Sequence, residues 1–504
     1  MFLLAFLWMT GGTIQAQDNA LDRLTIQDGV CQISTAEDLA NFALAVNAGN
    51  TALNAVVTQD LDFASFEGEF TGIALEGVPY VGTFDGQGHR ILNMTIDGKN
   101  QFFAGLFRMV GNGCVIKNLT LDKTCAIING SNACGMVASN SYSANETITL
   151  IGLGNEGKVE SAGQYVGAIA AINYGYTATY IIQDCWSTGE VTGSIDVAQI
   201  CGHIYRGSVK NCWSTSKVNS GNGETKLFDN VNEVTITNCY SLGGSDAKAI
   251  TEEDLTSGAL CYKLNGDQTD IHWTQTIGTD AQPQVGTGSQ QVYATGELRC
   301  DGAEFPDKPL TYSNTPGQPT KPEHQYGSDG ICTVCGNMQQ NADGYYLIAN
   351  AEQLNWLNQK ISEGGTDLKV LLTADIDLST SAYPDLMIGM ESTPFIGIFD
   401  GAGHTITYHY ENVPVKWRGL FAFIKNATIR NLRVEGSVYV TQIHYGALIG
   451  RADGVVLVEN VMTNVDITGA MNQVTGDAGM IGANYAQITF LNCAVLGAMG
   501  YEGS

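Results

Sequence analysis

The chain repeats one short pattern at a fixed spacing: IQDCWS at 182–187, VKNCWS at 209–214 and ITNCYS at 236–241. The order is apolar, polar, Asn or Asp, apolar, and the Asn or Asp recurs every 27 residues. Side chains of a β-strand point alternately to its two faces, so two residues three positions apart can both face inward only if the backbone changes direction between them. A left-handed backbone conformation at one residue produces this change, and Asn and Asp tolerate that conformation. The pattern therefore predicts a bend within each repeat.

The same pattern returns later in the chain, where Asn431, Asn460 and Asn492 hold the bend position at spacings of 29 and 32 residues. One bend per turn of about 27–34 residues is typical of a solenoid of short parallel strands. We therefore predict an all-β fold, a right-handed parallel β-helix. The 60 glycines are expected at its corners and close approaches rather than in flexible linkers.

Longer segments recur at an offset of 315 residues. ISTAEDL at 33–39 corresponds to IANAEQL at 348–354, and TFDGQGH at 83–89 corresponds to IFDGAGH at 398–404. These matches predict two tandem copies of one architecture.

Each copy opens with a predicted helix, which would cover the open end of a solenoid. Thr35 can N-cap a helix over 36–48 and Asn350 one over 351–362. Their apolar faces would consist of Leu39, Phe42, Ala43, Val46, Leu354, Leu357 and Ile361. A third helix is predicted over 251–264, where it would close the other end of the first copy. The second copy has no counterpart, so we expect the sequence to stop part-way through its solenoid.

We expect four segments along the chain. Residues 1–16 are typical of a secretory signal peptide, with the apolar run MFLLAFLWM and a small residue before position 17. A first β-helix array with its C-terminal cap follows at 17–298, a small Cys/His module at 299–339, and an incomplete second array at 340–504. No later apolar stretch is long enough to predict a membrane span.

The charge balance excludes several partners. The chain carries 24 Lys+Arg against 51 Asp+Glu, a formal charge of −27, and such a surface repels nucleic-acid phosphates and anionic lipid. Its hydrophobic content of 44 % is too high for a disordered acidic tail. We therefore expect a folded protein that binds no nucleic acid.

The 13 cysteines are odd in number and mostly isolated. Cys185, Cys212, Cys239 and Cys493 each follow the bend residue of a repeat, so they are predicted to be buried thiols rather than halves of disulfides.

Cys300, His324, Cys332 and Cys335 form the one metal-like pattern. A Cys-x2-Cys followed by Gly336 is typical of a knuckle that directs two thiolates at one ion. Three Cys and one His would close a tetrahedral site, which predicts a structural zinc ion in a zinc-ribbon-like linker. A Cys332–Cys335 disulfide and a turn without metal are the alternatives.

Two Asp–His pairs are candidates for acid/base chemistry, because His89 follows Asp85 by four residues and His404 follows Asp400 by four. Since the same Gly-flanked turn occurs in both copies, we interpret it as structural. Four outward carboxylates could hold calcium, but solvated strand ends are the favoured interpretation; they are Asp60, Asp62, Asp375 and Asp377. No zinc-peptidase, nucleophile-elbow or phosphate-loop motif occurs, so we assign no catalytic residues.

Trp186, Trp213 and Tyr240 follow the inward-facing cysteines of three successive repeats. They would then point outward on strands about 4.8 Å apart and form an exposed aromatic stripe. Such rings stack on sugar faces or anchor a protein partner, so these three residues are the predicted ligand-binding site. Alternatively, a loop covers them or they stabilise one another.

The Gly-x-Ile/Leu/Met-x-Gly segments, the Phe-Asp-Gly-x-Gly-His turns and the Asn-Cys-Trp/Tyr-Ser strands resemble those of bacterial cell-surface and secreted proteins with GLUG-type repeats. The segment 273–280, WTQTIGTD, resembles the one that closes such arrays. The resemblance covers most of 30–295 and 344–504, and it implies export, surface display and an adhesin-like role.

The first hypothesis is therefore a secreted or cell-surface scaffold without catalysis that binds an extracellular glycan or a surface protein. The alternative is a carbohydrate-active enzyme, because parallel β-helices also host polysaccharide lyases and glycoside hydrolases. A lyase would need basic and acidic groups along one groove, and a hydrolase two carboxylates about 5–9 Å apart.

Overall fold

A computed structural model describes residues 20–502 of the chain except 100, 142, 144, 173–177, 287, 366, 412–416, 441–443 and 471–478. The predicted signal peptide at 1–16 lies outside the described residues. The protein is an all-β, mostly parallel β-solenoid with few helices. It divides into two compact units, the first Met1–Gly296 with Leu310–Pro319 and the second Glu297–Pro309 with Thr320–Ser504.

The first unit is built from parallel strands that stack turn upon turn. Its largest sheet among the described residues contains Ile26–Gln27, Val30–Ile33, Asn54–Val57, Leu61–Asp62, Thr83–Asp85, Arg90–Leu92, Val115–Leu121, Thr147–Asn155, Thr179–Gln183, Trp186–Ser187, Gly207–Lys210, Trp213–Ser214, Val234–Thr237, Tyr240–Ser241 and Lys248–Ala249. Further parallel sheets contain Thr95–Asp97, Ala126–Gly130, Lys158–Ser161, Glu190–Thr192 and Lys217–Asn219; Phe103–Ala104, Ala133–Cys134, Tyr165–Gly167 and Val197–Ala198; and Val137–Ser139, Ala170–Ile172 and Cys201–His203. Two antiparallel pairs join Trp273–Thr274 to Gln284–Val285 and Tyr293–Thr295 to Thr311–Ser313.

The second unit contains two parallel sheets among its described residues. One contains Tyr346–Ile348, Lys369–Leu372, Ile398–Asp400, Phe421–Lys425, Thr428–Arg430, Ile449–Glu459 and Ile481–Leu491. The other contains Ile376–Asp377, Thr405–Tyr410, Arg433–Val440, Met462–Ala470, Ala494–Val495 and Met499–Glu502.

The core of each unit consists of apolar columns that run through successive turns. Phe84 pairs with Ile116, Ile116 with Leu150 and Leu150 with Ile182, and all four side chains are buried. Every turn contributes the same interior position, so burial of this column follows directly from the repeat.

The predicted bends are confirmed. Asp184, Asn211 and Asn238 have φ of 54°, 54° and 56°, and the bend residues of the second unit, among them Asn431 and Asn460, have values of 52–53°. Their side chains also bond from turn to turn, because the Asn211 amide donates to Asp184 Oδ1 at 3.1 Å and the Asn460 amide to Asn431 Oδ1 at 3.0 Å. The bend residues therefore change the phase of the strand and join neighbouring turns.

The helices predicted after Thr35 and Asn350 are present as Ala36–Asn47 and Ala351–Ser362, each with its N-cap hydrogen bond. The apolar residues predicted for their inner faces are all buried.

The single helix predicted over 251–264 is wrong. Gly258, at φ 90°, separates two short helices, Glu252–Thr256 and Ala259–Leu264. No helix among the described residues is long and apolar enough to cross a membrane.

All 13 cysteines lie within the described part of the chain and are free thiols. Cys185, Cys212 and Cys239 are buried at equivalent interior positions of successive turns, as predicted. Cys493 is partly buried.

Candidate metal centre

The four predicted metal ligands converge in the second unit. One donor atom each from Cys300, His324, Cys332 and Cys335 lies within 4.8 Å of all the others. The Sγ atoms of Cys300 and Cys332 are 3.4 Å apart, and Cys335 Sγ lies 3.3 Å from His324 Nδ1. A tetrahedron with metal–sulfur distances of about 2.3 Å has edges of roughly 3.8 Å. These four residues could therefore hold a metal ion of that size.

Backbone hydrogen bonds shape the Cys332–Cys335 knuckle. Gly336 adopts φ 73° and its N–H donates to Cys332 O at 2.8 Å, which closes the turn. The N–H of Thr333 donates to Gln325 O at 2.9 Å, so the knuckle is joined to the segment that carries His324. The donor atoms of both thiols therefore lie within 4.8 Å of each other.

The third thiol comes from a separate turn. Arg299 N–H donates to Ala303 O at 2.8 Å and Gly302 N–H donates to Arg299 O at 2.9 Å, and this turn carries Cys300 at its corner. The Arg299 guanidinium donates to Cys335 O at 3.2 Å. This bond ties the turn directly to the knuckle.

The helix of the same unit supports the knuckle. Trp356 Nε1 donates to Gly336 O at 2.9 Å, and the Gln353 amide donates to Asp329 O at 2.6 Å. The donor cluster therefore rests on the helix Ala351–Ser362.

The electrostatics of the cluster favour one thiolate. Burial raises the pKa of Cys332, but hydrogen bonds from the N–H groups of Cys335 and Val334 and from the His324 and Cys300 side chains outweigh it and lower the pKa to about 5. A thiolate is the form of cysteine that binds metal. Cys332 and Cys335 are free thiols, so the disulfide alternative is not formed.

The aromatic residues predicted as a ligand-binding stripe are buried. Trp186, Trp213 and Tyr240 lie in register on three successive turns, and the two indoles stack with centroids 5.7 Å apart. The helix Ala259–Leu264 and Trp273 belong to the same buried cluster. The prediction of an exposed stripe is therefore wrong, because the chain beyond the last turn folds back over this flank. The alternative of a covered, mutually stabilising stack is correct.

Asp184 anchors the covering segment to the solenoid. This carboxylate is fully buried, lies 2.7 Å from His272 Nδ1, and accepts a hydrogen bond from Trp273 Nε1 at 3.2 Å. Burial lowers the pKa of His272, but hydrogen bonding to Asp270 and the charge of Asp184 outweigh it and raise the pKa. The buried acid therefore holds an imidazole and an indole of the covering segment.

The Asp–His pairs differ from those predicted. His89 Nδ1 lies 3.2 Å from Asp60 Oδ1, and the same oxygen accepts the N–H of Arg90 at 2.9 Å. Asp85 instead accepts hydrogen bonds from the N–H of Gln87 and the Asn118 amide. Pairing of His89 with Asp85 is therefore wrong, because stacking brings the preceding turn, not the same turn, beside the imidazole.

The second unit contains the same arrangement. His404 Nδ1 lies 3.1 Å from Asp375 Oδ1, which accepts the N–H of Thr405 at 2.9 Å, whereas Asp400 bonds Arg430 and Asn431. The Thr405 N–H and then His404 hold the pKa of Asp375 below its usual range. Both histidines thus clamp a turn to its neighbour.

The four outward carboxylates are exposed, and they also bond nearby turns. Asp62 Oδ1 accepts the N–H of Ala64 at 2.8 Å and the Asn93 amide at 2.7 Å, and Asp377 Oδ1 accepts the N–H of Ser379 at 2.9 Å.

A pocket of about 730 Å³ lies in the second unit and was not predicted from the sequence. Its lining includes three rings, Tyr383, Trp417 and Phe423, and two carboxylates, Asp385 and Glu391. Trp417 follows Tyr383 by 34 residues, about one turn of the solenoid, and this spacing was the signal that could have revealed the pocket.

No family model matches the sequence, and no curated protein matches it. Among solved structures, the chain is similar to one described as "a putative immunoglobulin A1 protease from Bacteroides ovatus". The two are 16 % identical, the match covers 51 % of this chain and 91 % of that chain, and the TM-score is 0.37.

Proposed function

We propose that this protein is exported and displayed at the cell surface, where it acts as a scaffold without catalysis that binds an extracellular glycan or a surface protein. In this proposal two tandem β-helix arrays at 17–298 and 340–504 flank a zinc-ribbon-like module at 299–339. The helices Ala36–Asn47 and Ala351–Ser362 cover the first turn of each array.

The use of both Asp–His pairs as turn clamps carries this proposal. In each unit the carboxylate that faces the imidazole also accepts a backbone N–H, so it is committed to holding the turn. The same arrangement at equivalent positions supports a structural role, since a catalytic pair would not be needed at both. The burial of apolar columns and the turn-to-turn bonds supply the rigid framework on which a binding surface depends.

The metal cluster supports a structural ion in the proposed module. Three thiols and one imidazole fill the four positions of a tetrahedral zinc ion and leave none for a substrate. The surrounding segment has few strands and little core of its own, so a bound ion would stabilise it substantially.

Metal analysis of the purified full chain tests the zinc assignment. We expect about one equivalent of zinc per chain, and Cys332→Ser should reduce it to well under half. Cys493→Ser is the matched control, because this partly buried thiol lies outside the cluster. A full chain that carries less than half an equivalent of zinc, or the same loss in both variants, would contradict the assignment.

Glycan-array binding combined with a reducing-end release assay tests the function. We expect the full chain to bind specific glycans on the array. The release assay should detect no new reducing ends after prolonged incubation. Release of reducing ends or of unsaturated sugars would instead establish the carbohydrate-active alternative. Binding to neither glycans nor a surface-protein panel would refute the scaffold.

A further inference from the structure

Aromatic rings form the walls of the pocket in the second unit. Trp417 and Tyr383 are half-buried, so each presents part of its ring, while Phe423 closes the wall behind them. A pocket of about 730 Å³ lies within the range of small-ligand sites. It is accessible, unlike the stacked indoles of the first unit.

Acceptor groups stand beside these rings. Asp385 and Glu391 are exposed carboxylates, and Asn355 contributes an amide from the helix Ala351–Ser362. Carboxylates and amides accept hydrogen bonds from hydroxyl groups, and flat rings cover the C–H faces of sugars. Rings and acceptors that surround one space are the combination that a saccharide requires.

A cation holds the rings in place. The Arg451 guanidinium lies 5.3 Å from the centroid of the Trp417 ring and 5.7 Å from that of Phe423. It also forms ion pairs with Glu391 and Asp453, each at 3.2 Å. Both ion-pair partners of Arg451 are carboxylates, so they neutralise its positive charge. Arg451 therefore orders the rings and does not offer a free positive charge to a ligand.

Trp417 shows two further features of a binding residue. Its φ is 57°, a left-handed backbone that is rare for a bulky side chain and that concentrates at ligand sites. Its indole N–H has no hydrogen-bond partner among the described residues. The N–H atom itself is buried, so it is the half-exposed ring of Trp417 that faces the pocket.

We infer that this pocket binds a neutral saccharide, with Trp417 as the stacking platform and Asp385 and Glu391 as acceptors for its hydroxyl groups. The inference rests on the proposed function, since it names the ligand class and the site of the scaffold. Uronates and sialylated sugars are disfavoured, because the Asp385 carboxylate in the pocket and a chain of net charge −27 repel them.

Titration calorimetry of the full chain tests the inference. The probes are neutral hexose and N-acetylhexosamine oligosaccharides, with oligogalacturonate as the acidic comparison. We expect binding of a neutral probe, a loss of affinity of about tenfold or more in Trp417→Ala, and partial recovery in Trp417→Phe, which restores a ring. Asp385→Ala, at an exposed position, should also weaken binding without affecting folding.

Phe490→Ala is the matched control, because this exposed ring of the same unit does not line the pocket. Neutral-sugar binding that survives both Trp417→Ala and Asp385→Ala would overturn the pocket assignment and leave the proposed function intact. Preference for oligogalacturonate would overturn the ligand class. Absence of saccharide binding together with binding to a surface-protein panel would overturn the inference but not the scaffold.

Discussion

Replacement of Trp213 by Ala tests whether the aromatic column is a structural stack. The ring is fully buried between Trp186 and Tyr240, and Trp273 approaches it edge-on at 6.4 Å. Burial of an indole removes about 150–200 Å² from water, which at roughly 25 cal/mol/Å² stabilises the fold by about 4–5 kcal/mol. The indole N–H has no hydrogen-bond partner among the described residues, so its removal sacrifices no hydrogen bond. We expect a destabilisation of about 4 kcal/mol.

Urea unfolding of the full chain, followed by far-UV circular dichroism, measures this change. The transition assigned to the first unit should move to markedly lower urea in Trp213→Ala, because loss of the central ring leaves a cavity that its neighbours fill incompletely. Phe102→Ala is the control, since Phe102 is 45 % exposed in the same unit, and it should cost about 1 kcal/mol or less. An unchanged transition in Trp213→Ala would refute the buried stack and restore the exposed stripe.

Two further substitutions probe the same flank. A Cβ on Gly154 would lie 2.5 Å from the ring of Trp186, so Gly154→Ala should lower the free energy of unfolding by about 1–3 kcal/mol. Gly288→Ala is the control, because a Cβ there would meet open space and should not change stability. Thermal melts compare the two variants. His272 has a raised pKa in the folded state, so its interactions with Asp270 and Asp184 stabilise the fold below the unfolded pKa of about 6.5. This stabilisation is lost as pH rises through the folded pKa. His272→Asn should therefore lower the unfolding midpoint more at pH 5.5 than at pH 9, and an equal effect at both would contradict the ion pair.

The local features of the solenoid could be predicted because each depends on neighbouring residues. A left-handed bend at Asn211 follows from the phase of its own strand, and the helix after Thr35 follows from its capping residue and apolar spacing. The convergence of Cys300 with Cys332 was also predictable, because three thiols and a histidine at this spacing are typical of one metal-binding site.

The features that the sequence analysis missed depend on which turn lies beside which. His89 faces Asp60 because the preceding turn stacks against it, although Asp85 is closer in sequence. The interrupted helix at 251–264 arises at Gly258, whose φ of 90° turns the second helix onto the flank.

Spacing and residue type were enough to predict the repeat, with its period, its bends, its buried thiols and the donors of the candidate metal site. Which surfaces remain accessible, however, depends on the tertiary packing. Strand geometry placed Trp186 and Trp213 outside the solenoid, yet the chain that follows buries them, because covering two stacked indoles stabilises the fold more than leaving them in water. Trp417 and Tyr383, by contrast, are only half-buried at the pocket and are available to a ligand. Whether a side chain is exposed depends on which other segments pack over it, and one repeat unit does not include those segments.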